Sequence, residues 1–119
     1  PYRSAAVLRA VQSEFENNSR ENDIPLFRGA ARAPHEDAAQ SNRPVSFTEN
    51  RGAAAAFARA RRKEAGQGHV YIAEPGEMRG LRMEDYGVRP AYLGDHSEAE
   101  WLIDPASVPV FNDRRRKSR

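Results

Sequence analysis

Apolar residues recur along this chain in two periods, and the changes of period divide it into elements. Val7, Leu8, Val11 and Phe15 are spaced by one, three and four residues, the stripe of an amphipathic helix over 4–18 with Ser4 as its candidate cap. Asn17-Asn18-Ser19 ends it, and a polar linker runs to Asp23. Ile24-Pro25-Leu26-Phe27-Arg28 reads as a short strand, with proline at its start where a missing N–H does least harm and Gly29 as its stop. Residues 30–43 mix Ala, Pro, Asp, Asn and charge without a period, which predicts a loop longer than ordinary connections need. Val45 to Thr48 is the next strand. An alanine-rich helix follows from about Arg51 to Ala65, with bases gathered toward its C-terminal end, where the helix dipole favours them. Gly66 and Gly68 break it. His69 to Ala73 is a strand and Pro75-Gly76 a turn. Over 77–94 short apolar patches at Met78, Leu81, Met83, Val88, Tyr92 and Leu93 alternate with turn residues. Residues 100–103 form a strand, Pro105 interrupts it, and Val108 to Phe111 is a last short strand. One or two N-terminal helices among many short strands predict an α+β fold with a small split or sandwiched sheet.

Composition narrows this picture. The 119 residues fit one domain, here 1–111, with 112–119 a basic and disordered tail. A mean hydropathy of −0.84 is polar, yet aromatic and β-branched residues recur along the chain, which a disordered composition lacks. No apolar run nears the roughly 18 residues of a membrane span. Residues 1–20 are amphipathic and charged, unlike a signal peptide, and a start at Pro1 leads us to expect a domain cut from a longer chain. The absence of cysteine removes disulfides, thiol nucleophiles and zinc–thiolate sites. A net charge of +2 is too small to mark the whole domain for nucleic acid. The bases are 17 Arg against 2 Lys. GC-rich coding gives such a bias, and so does selection against lysine in a protein exposed to a foreign cytosol that modifies it.

Several chemistries are missing. There is no Gly-rich phosphate loop, since Gly66-Gln67-Gly68 is too short, and no Gly-x-Ser-x-Gly elbow. His35, His69 and His96 are scattered, none at metal-ligand spacing from another, so no metal is expected. What stands out is Glu98-Ala99-Glu100 directly before Trp101-Leu102-Ile103. In an extended chain residues i and i+2 share a face, and two acids there repel and resist desolvation. Acid pairs of this kind in clefts act on charged or electron-poor centres, although a solvated turn carries two acids as readily.

Two further motifs precede it in the chain. Leu26-Phe27-Arg28-Gly29 ends a strand in an arginine, and Val45-Ser46-Phe47-Thr48 leads to a helix holding Phe57. Each is ordinary alone: Arg28 as a surface base, Ser46 as a helix cap through Ser46-x-x-Glu49, Phe57 as core. In this order, with Ser97-Glu98-Ala99-Glu100-Trp101-Leu102-Ile103-Asp104-Pro105, they resemble the arginine–serine–glutamate class of mono-ADP-ribosyltransferase toxins, the cholera-toxin-like and clostridial C2/C3-like group. The resemblance covers Ile24 to Phe111 and implies a split β-sandwich fold. The family motif's middle residue is Phe47 here and its last is Thr48, and the domain is short for the group.

The resemblance implies NAD as substrate and no metal. Arg28 would hold the pyrophosphate, and Gly29 would let the backbone approach the nicotinamide amide. Ser46 would orient Glu100, Thr48 would stiffen the strand, and Phe57 would pack on the nicotinamide ring. Glu100 would stabilise the oxocarbenium ion formed when nicotinamide leaves, and Glu98 would face the incoming nucleophile, with glutamate there implying a protein arginine as acceptor. By the same resemblance the chain is a secreted bacterial effector acting in the target-cell cytoplasm, opposed by a cognate immunity protein, with no membrane partner. Three other readings stay open from sequence. They are an NAD glycohydrolase on the same scaffold, a transferase modifying nucleic acid with help from Arg114-Arg115-Arg116-Lys117, and a non-catalytic basic binding module.

Overall fold

The computed structural model describes residues 5–41, 43–87, 92–93, 96–97, 99–111 and 116–117. Its elements run α1 (Ala5–Asn18), β1 (Arg20–Glu21), β2 (Leu26–Ala30), α2 (Pro34–Ser41), β3 (Val45–Thr48), α3 (Arg51–Ala65), β4 (His69–Ala73), β5 (Arg79–Arg82), β6 (Tyr92–Leu93), β7 (His96–Ser97), β8 (Glu100–Ile103) and β9 (Arg116–Lys117). Single 3₁₀ turns span Met83–Tyr86 and Pro105–Ser107. Seven strands form one antiparallel sheet in the order β1-β5-β8-β3-β2-β4-β9, and β6 pairs with β7 apart from it. The mixed helix-and-sheet class expected from the sequence is the one the chain adopts. No described helix is long and apolar enough to cross a membrane.

The sheet is unevenly joined. β2 runs against β4 along its whole length, from Leu26 opposite Ala73 to Ala30 opposite His69. β3 runs against β8 from Val45 opposite Ile103 to Thr48 opposite Glu100. Between β2 and β3 only Phe27 and Thr48 are matched. Continued, that register would set Gly29 opposite Ser46; instead the strands part there and leave a seam.

Strand alternation sorts the core onto two faces. Leu26, Val45, Phe47, Tyr71, Trp101 and Ile103 point to one face, where Met78, Phe111 and Ala38 of α2 join them. On the other face Val70, Phe27 and Ile72 meet Ala54, Ala55 and Ala58 of α3. Small residues on both sides of this second contact bring the α3 backbone down onto the strand. A Cβ on Gly29 would overlap the Ala54 carbonyl and lie 2.7 Å from the Ala58 nitrogen. A Cβ on Gly68 would overlap the Ala58 carbonyl. Gly66, at φ 83°, closes the helix by donating its N–H to the Arg62 carbonyl.

Buried Asn22 ties the edge together. Its amide donates to the carbonyls of Ile24 and Glu74, both at 2.9 Å, and its Oδ1 accepts from the Met78 N–H at 3.0 Å.

The predicted elements α1, β3, α3, β4 and β8 are present, and several others differ. The first strand is shifted to 26–30, with Gly29 inside it rather than ending it, because α3 fills the space that a side chain would take. The expected loop at 30–43 contains α2, which starts at a fully buried proline. Arg79–Arg82 forms β5, which the chain pattern hid because Gly80 interrupts its apolar run and its back lies against the Leu102 carbonyl. Residues 108–111 are not a strand: Pro109 has no N–H to give a ladder, and the Phe111 N–H goes to His35 Nδ1 at 3.0 Å. From the basic C-terminal segment, Arg116–Lys117 pairs with Tyr71 and Val70 of β4. Ser4, Val88 and Glu98 lie outside the described residues.

Gly29→Ala is expected to lower unfolding stability by about 3 kcal/mol, the upper end for overpacking, because the obstacle is helix backbone. Urea denaturation of the variant against wild type measures it.

Candidate functional site

The parting of β2 from β3 opens a cleft of about 190 Å³. Its lining includes Arg28, Gly29, Ser46, Thr48, Phe57 and Glu100, every described member of the set predicted from sequence. They come from β2, β3, α3 and β8, so the matching order of motifs along the chain becomes one place in space.

Register explains the innermost contact. Val45 and Phe47 point into the core, which turns Ser46 and Thr48 to the other face. Thr48 stands opposite Glu100, so Ser46 and Glu100 are diagonal neighbours on one face of the ladder. Ser46 Oγ donates to Glu100 Oε2 at 2.6 Å, which holds the half-buried carboxylate in one orientation.

Arg28 spans the seam. Where the strands no longer pair, its Nη1 donates to the Ser46 carbonyl at 2.8 Å, the place of a ladder bond taken by a side chain. Its Nη2 donates to Asp37 Oδ2 at 3.1 Å. Its Nε is buried and has no acceptor among the described residues. Ser46 is thus held twice, by its carbonyl on the cation and by its hydroxyl on the acid.

Ser46 does not cap α3. Asn50 does, its Oδ1 accepting from Gly52 N at 2.8 Å and Ala53 N at 3.2 Å, while Thr48 Oγ1 accepts from Asn50 N. Glu49, the acid of the expected capping box, is engaged elsewhere. It accepts from Trp101 Nε1 at 2.7 Å and from Arg82 Nε at 2.7 Å. That bond to Glu49, ahead of an opposing desolvation and with the charges of Glu49 and Glu84 and a bond to Asp85 behind it, raises the Arg82 guanidinium above its already high ordinary pKa. The Arg20 guanidinium covers the Trp101 ring at 4.7 Å.

The same Glu49 holds the turn that leads into Glu100. Its backbone N–H donates to the Ala99 carbonyl at 3.2 Å, and Ala99 has φ 35°, the only positive value at a non-glycine among the described residues. The two-residue alternation of an extended chain therefore does not run through Ala99, and β8 begins at Glu100. Shared-face geometry for the two acids does not follow from spacing alone.

Asp37, Arg32 and Arg61 were not singled out from the sequence, and Glu49 was read only as the acid of a capping box. Arg61 lines the cleft from the last turns of α3. For Asp37 a signal was present: Pro34-His35-Glu36-Asp37 puts proline at a helix start and two acids in its first turn. The helix is too short for periodicity to reveal it.

No family model, curated protein or solved structure was found to match this chain. The reading of the site therefore rests on its own geometry.

Glu49→Ala is expected to cost about 2 kcal/mol, since it leaves the buried Trp101 N–H without its acceptor, while the Arg82 guanidinium keeps Glu84 and Asp85. Trp101 is the single tryptophan, so its fluorescence during urea unfolding reports the change directly.

Proposed function

We propose that this chain is an NAD-dependent mono-ADP-ribosyltransferase domain that transfers ADP-ribose to a protein arginine. The observation that carries the reading is the Ser46–Glu100 bond in a cleft walled by Arg28, Gly29, Thr48 and Phe57. Three motifs distant in sequence converge there, which supports the reading that the resemblance suggests. The seam between β2 and β3, bridged at Phe27 and Thr48, fits a sheet of the split-sandwich type.

The chemistry follows from the charges. Breaking the bond between ribose C1′ and the nicotinamide nitrogen returns the bonding pair to the leaving group, which departs neutral and needs no acid. Positive charge moves to the ribose ring as an oxocarbenium ion. A carboxylate already held by Ser46 stabilises that charge without reorganising, and does so more strongly in the transition state than in the ground state. The guanidinium of Arg28 supplies a permanent planar cation for the pyrophosphate. Phe57, with Phe27 and Phe47 beside it in the lining, offers an aromatic wall for the nicotinamide ring. An acceptor nitrogen then bonds to C1′ and gives up one proton, and Glu98 is the residue proposed to hold the acceptor.

Incubation with labelled NAD and target-cell lysate tests this. Wild type is expected to release nicotinamide and label protein. Glu100→Gln should lower both by about 10²- to 10³-fold while melting like wild type, the loss typical of an oriented electrostatic group. Ser46→Ala should fall less, by about tenfold, because Glu100 keeps its charge and loses its orientation. Glu98→Gln should stop labelling and still release nicotinamide. Nicotinamide without label from wild type would make the chain a glycohydrolase. Neither product at high NAD would end the enzyme reading.

A further inference from the structure

Behind Arg28 the cleft continues into a second lobe of about 600 Å³, lined by Arg28, Arg32, Asp37, Arg43, Ser46 and Arg61 among others. Arg28, Ser46 and Arg61 belong to both lobes. The sequence drew attention only to Arg28 and Ser46 here. The second lobe holds an arrangement of its own: one carboxylate between two guanidinium groups. Asp37 Oδ2 takes Arg28 Nη2 at 3.1 Å and Asp37 Oδ1 takes Arg32 Nη2 at 2.9 Å.

Two adjacent cations repel, and each long side chain has many rotamers to lose. A shared carboxylate removes the repulsion and fixes the spacing. The carboxylate is itself fixed, because α2 is tied down at its first turn. Pro34 is fully buried and Ala38 nearly so. His35 Nδ1 accepts from the Phe111 N–H at 3.0 Å, and Glu36 Oε1 accepts from the Ala33 N–H at 3.3 Å. Asp37 is therefore built as a spacer rather than as a gate that swings away.

The spacer leaves donors unused. Arg28 gives one N–H to Ser46 and one to Asp37, and its buried Nε has no acceptor among the described residues. The Nε is sealed off, so an anion in the lobe would meet the second N–H on each Nη, on a side chain that keeps 24% of its surface exposed. Two planar forks facing one cavity match a pair of linked phosphates better than either does alone.

We propose that Arg28 and Arg32, spaced by Asp37, form a two-armed clamp for the pyrophosphate of the substrate, with Arg32 a binding residue and Asp37 a positioning residue. This rests on the function proposed above, which itself assigns the phosphates to Arg28 alone. Arg32 is half exposed, at 51%, so its removal spares the fold.

Calorimetric titration of the chain with inorganic pyrophosphate tests the clamp without requiring turnover. Arg32→Ala is expected to weaken binding tenfold or more, the loss of one charge-assisted contact. Arg59→Ala, which removes the same charge from the exposed face of α3 outside both lobes, should stay within about twofold. Asp37→Asn gives the decisive sign. Charge alone predicts tighter anion binding once a carboxylate is gone, whereas a lost spacer predicts weaker binding, with Asp37→Glu recovering part of it. In nicotinamide release Arg32→Ala should raise KM with little change in kcat. Equal losses in Arg32→Ala and Arg59→Ala, or tighter binding in Asp37→Asn, would overturn the clamp. The two proposals fail separately. Arg32-dependent pyrophosphate binding without nicotinamide release removes the transferase and keeps the clamp. Release of nicotinamide with Arg32→Ala unimpaired removes the clamp and keeps the transferase.

Discussion

The bond from the Arg28 guanidinium to the Ser46 carbonyl is the contact on which the site depends. A sheet that stays fully paired has no cleft, and a sheet that opens leaves backbone carbonyls without partners in a partly buried place. The β2–β3 ladder stops after Phe27 and Thr48, and a side chain from β2 takes the next acceptor on β3. The seam is thus open and satisfied at the same time. The β3–β8 ladder fixes Ser46 from one side and this bond holds it from the other, and on that backbone its hydroxyl holds Glu100. One arginine therefore acts on the carboxylate across the cleft without touching it.

What sets the helix wall of the cleft is equally physical. α3 rests on β2 and β4 through Ala54 and Ala58 against Gly29 and Gly68, with backbone atoms at the distance of a missing side chain. Alanine on the helix and glycine on the strand bring Phe57 and Arg61 to the rim of the cleft. Larger residues at these points would lift the helix and carry both side chains outward. The poverty of side chains in α3, which from composition reads only as high helix propensity, is what sets the depth of the site.

Legibility in the sequence followed the range of the forces involved. β3, α3, β4 and β8 were readable because each satisfies a local rule: alternation, capping or a glycine stop. The candidate site was grouped by a family resemblance, and strand register then brings Arg28, Ser46 and Glu100 to one cleft. The errors lie where a long-range contact overrode a local signal. Ser46-x-x-Glu49 has the form of a capping box, but Glu100 claims the serine, Trp101 and Arg82 claim the glutamate, and Asn50 caps instead. Gly29 has the form of a strand stop, but its role is to admit the backbone of α3 at Ala54 and Ala58, further along the chain. α2 spans too few residues to show a period, and its worth lies in one side chain, Asp37, whose partners come from β2 and the turn after it.

Two local irregularities fall at this one place. Ala99 carries a positive φ directly before Glu100, and Arg28 keeps a buried N–H with no acceptor among the described residues. Each costs free energy, of the order of 1–3 kcal/mol, and neither is required by the sheet. Both are held by interactions of higher strength: the Ala99 turn by Glu49, itself fixed by Trp101 and Arg82, and the guanidinium by Ser46 and Asp37. A structure that tolerates strain only where stronger contacts enforce it has a reason for the strain. Here the two irregularities flank the carboxylate and the cation that would face opposite charges of one substrate. Their common location fits the function proposed above, since strain of this kind gathers at ligand clamps and active sites alike.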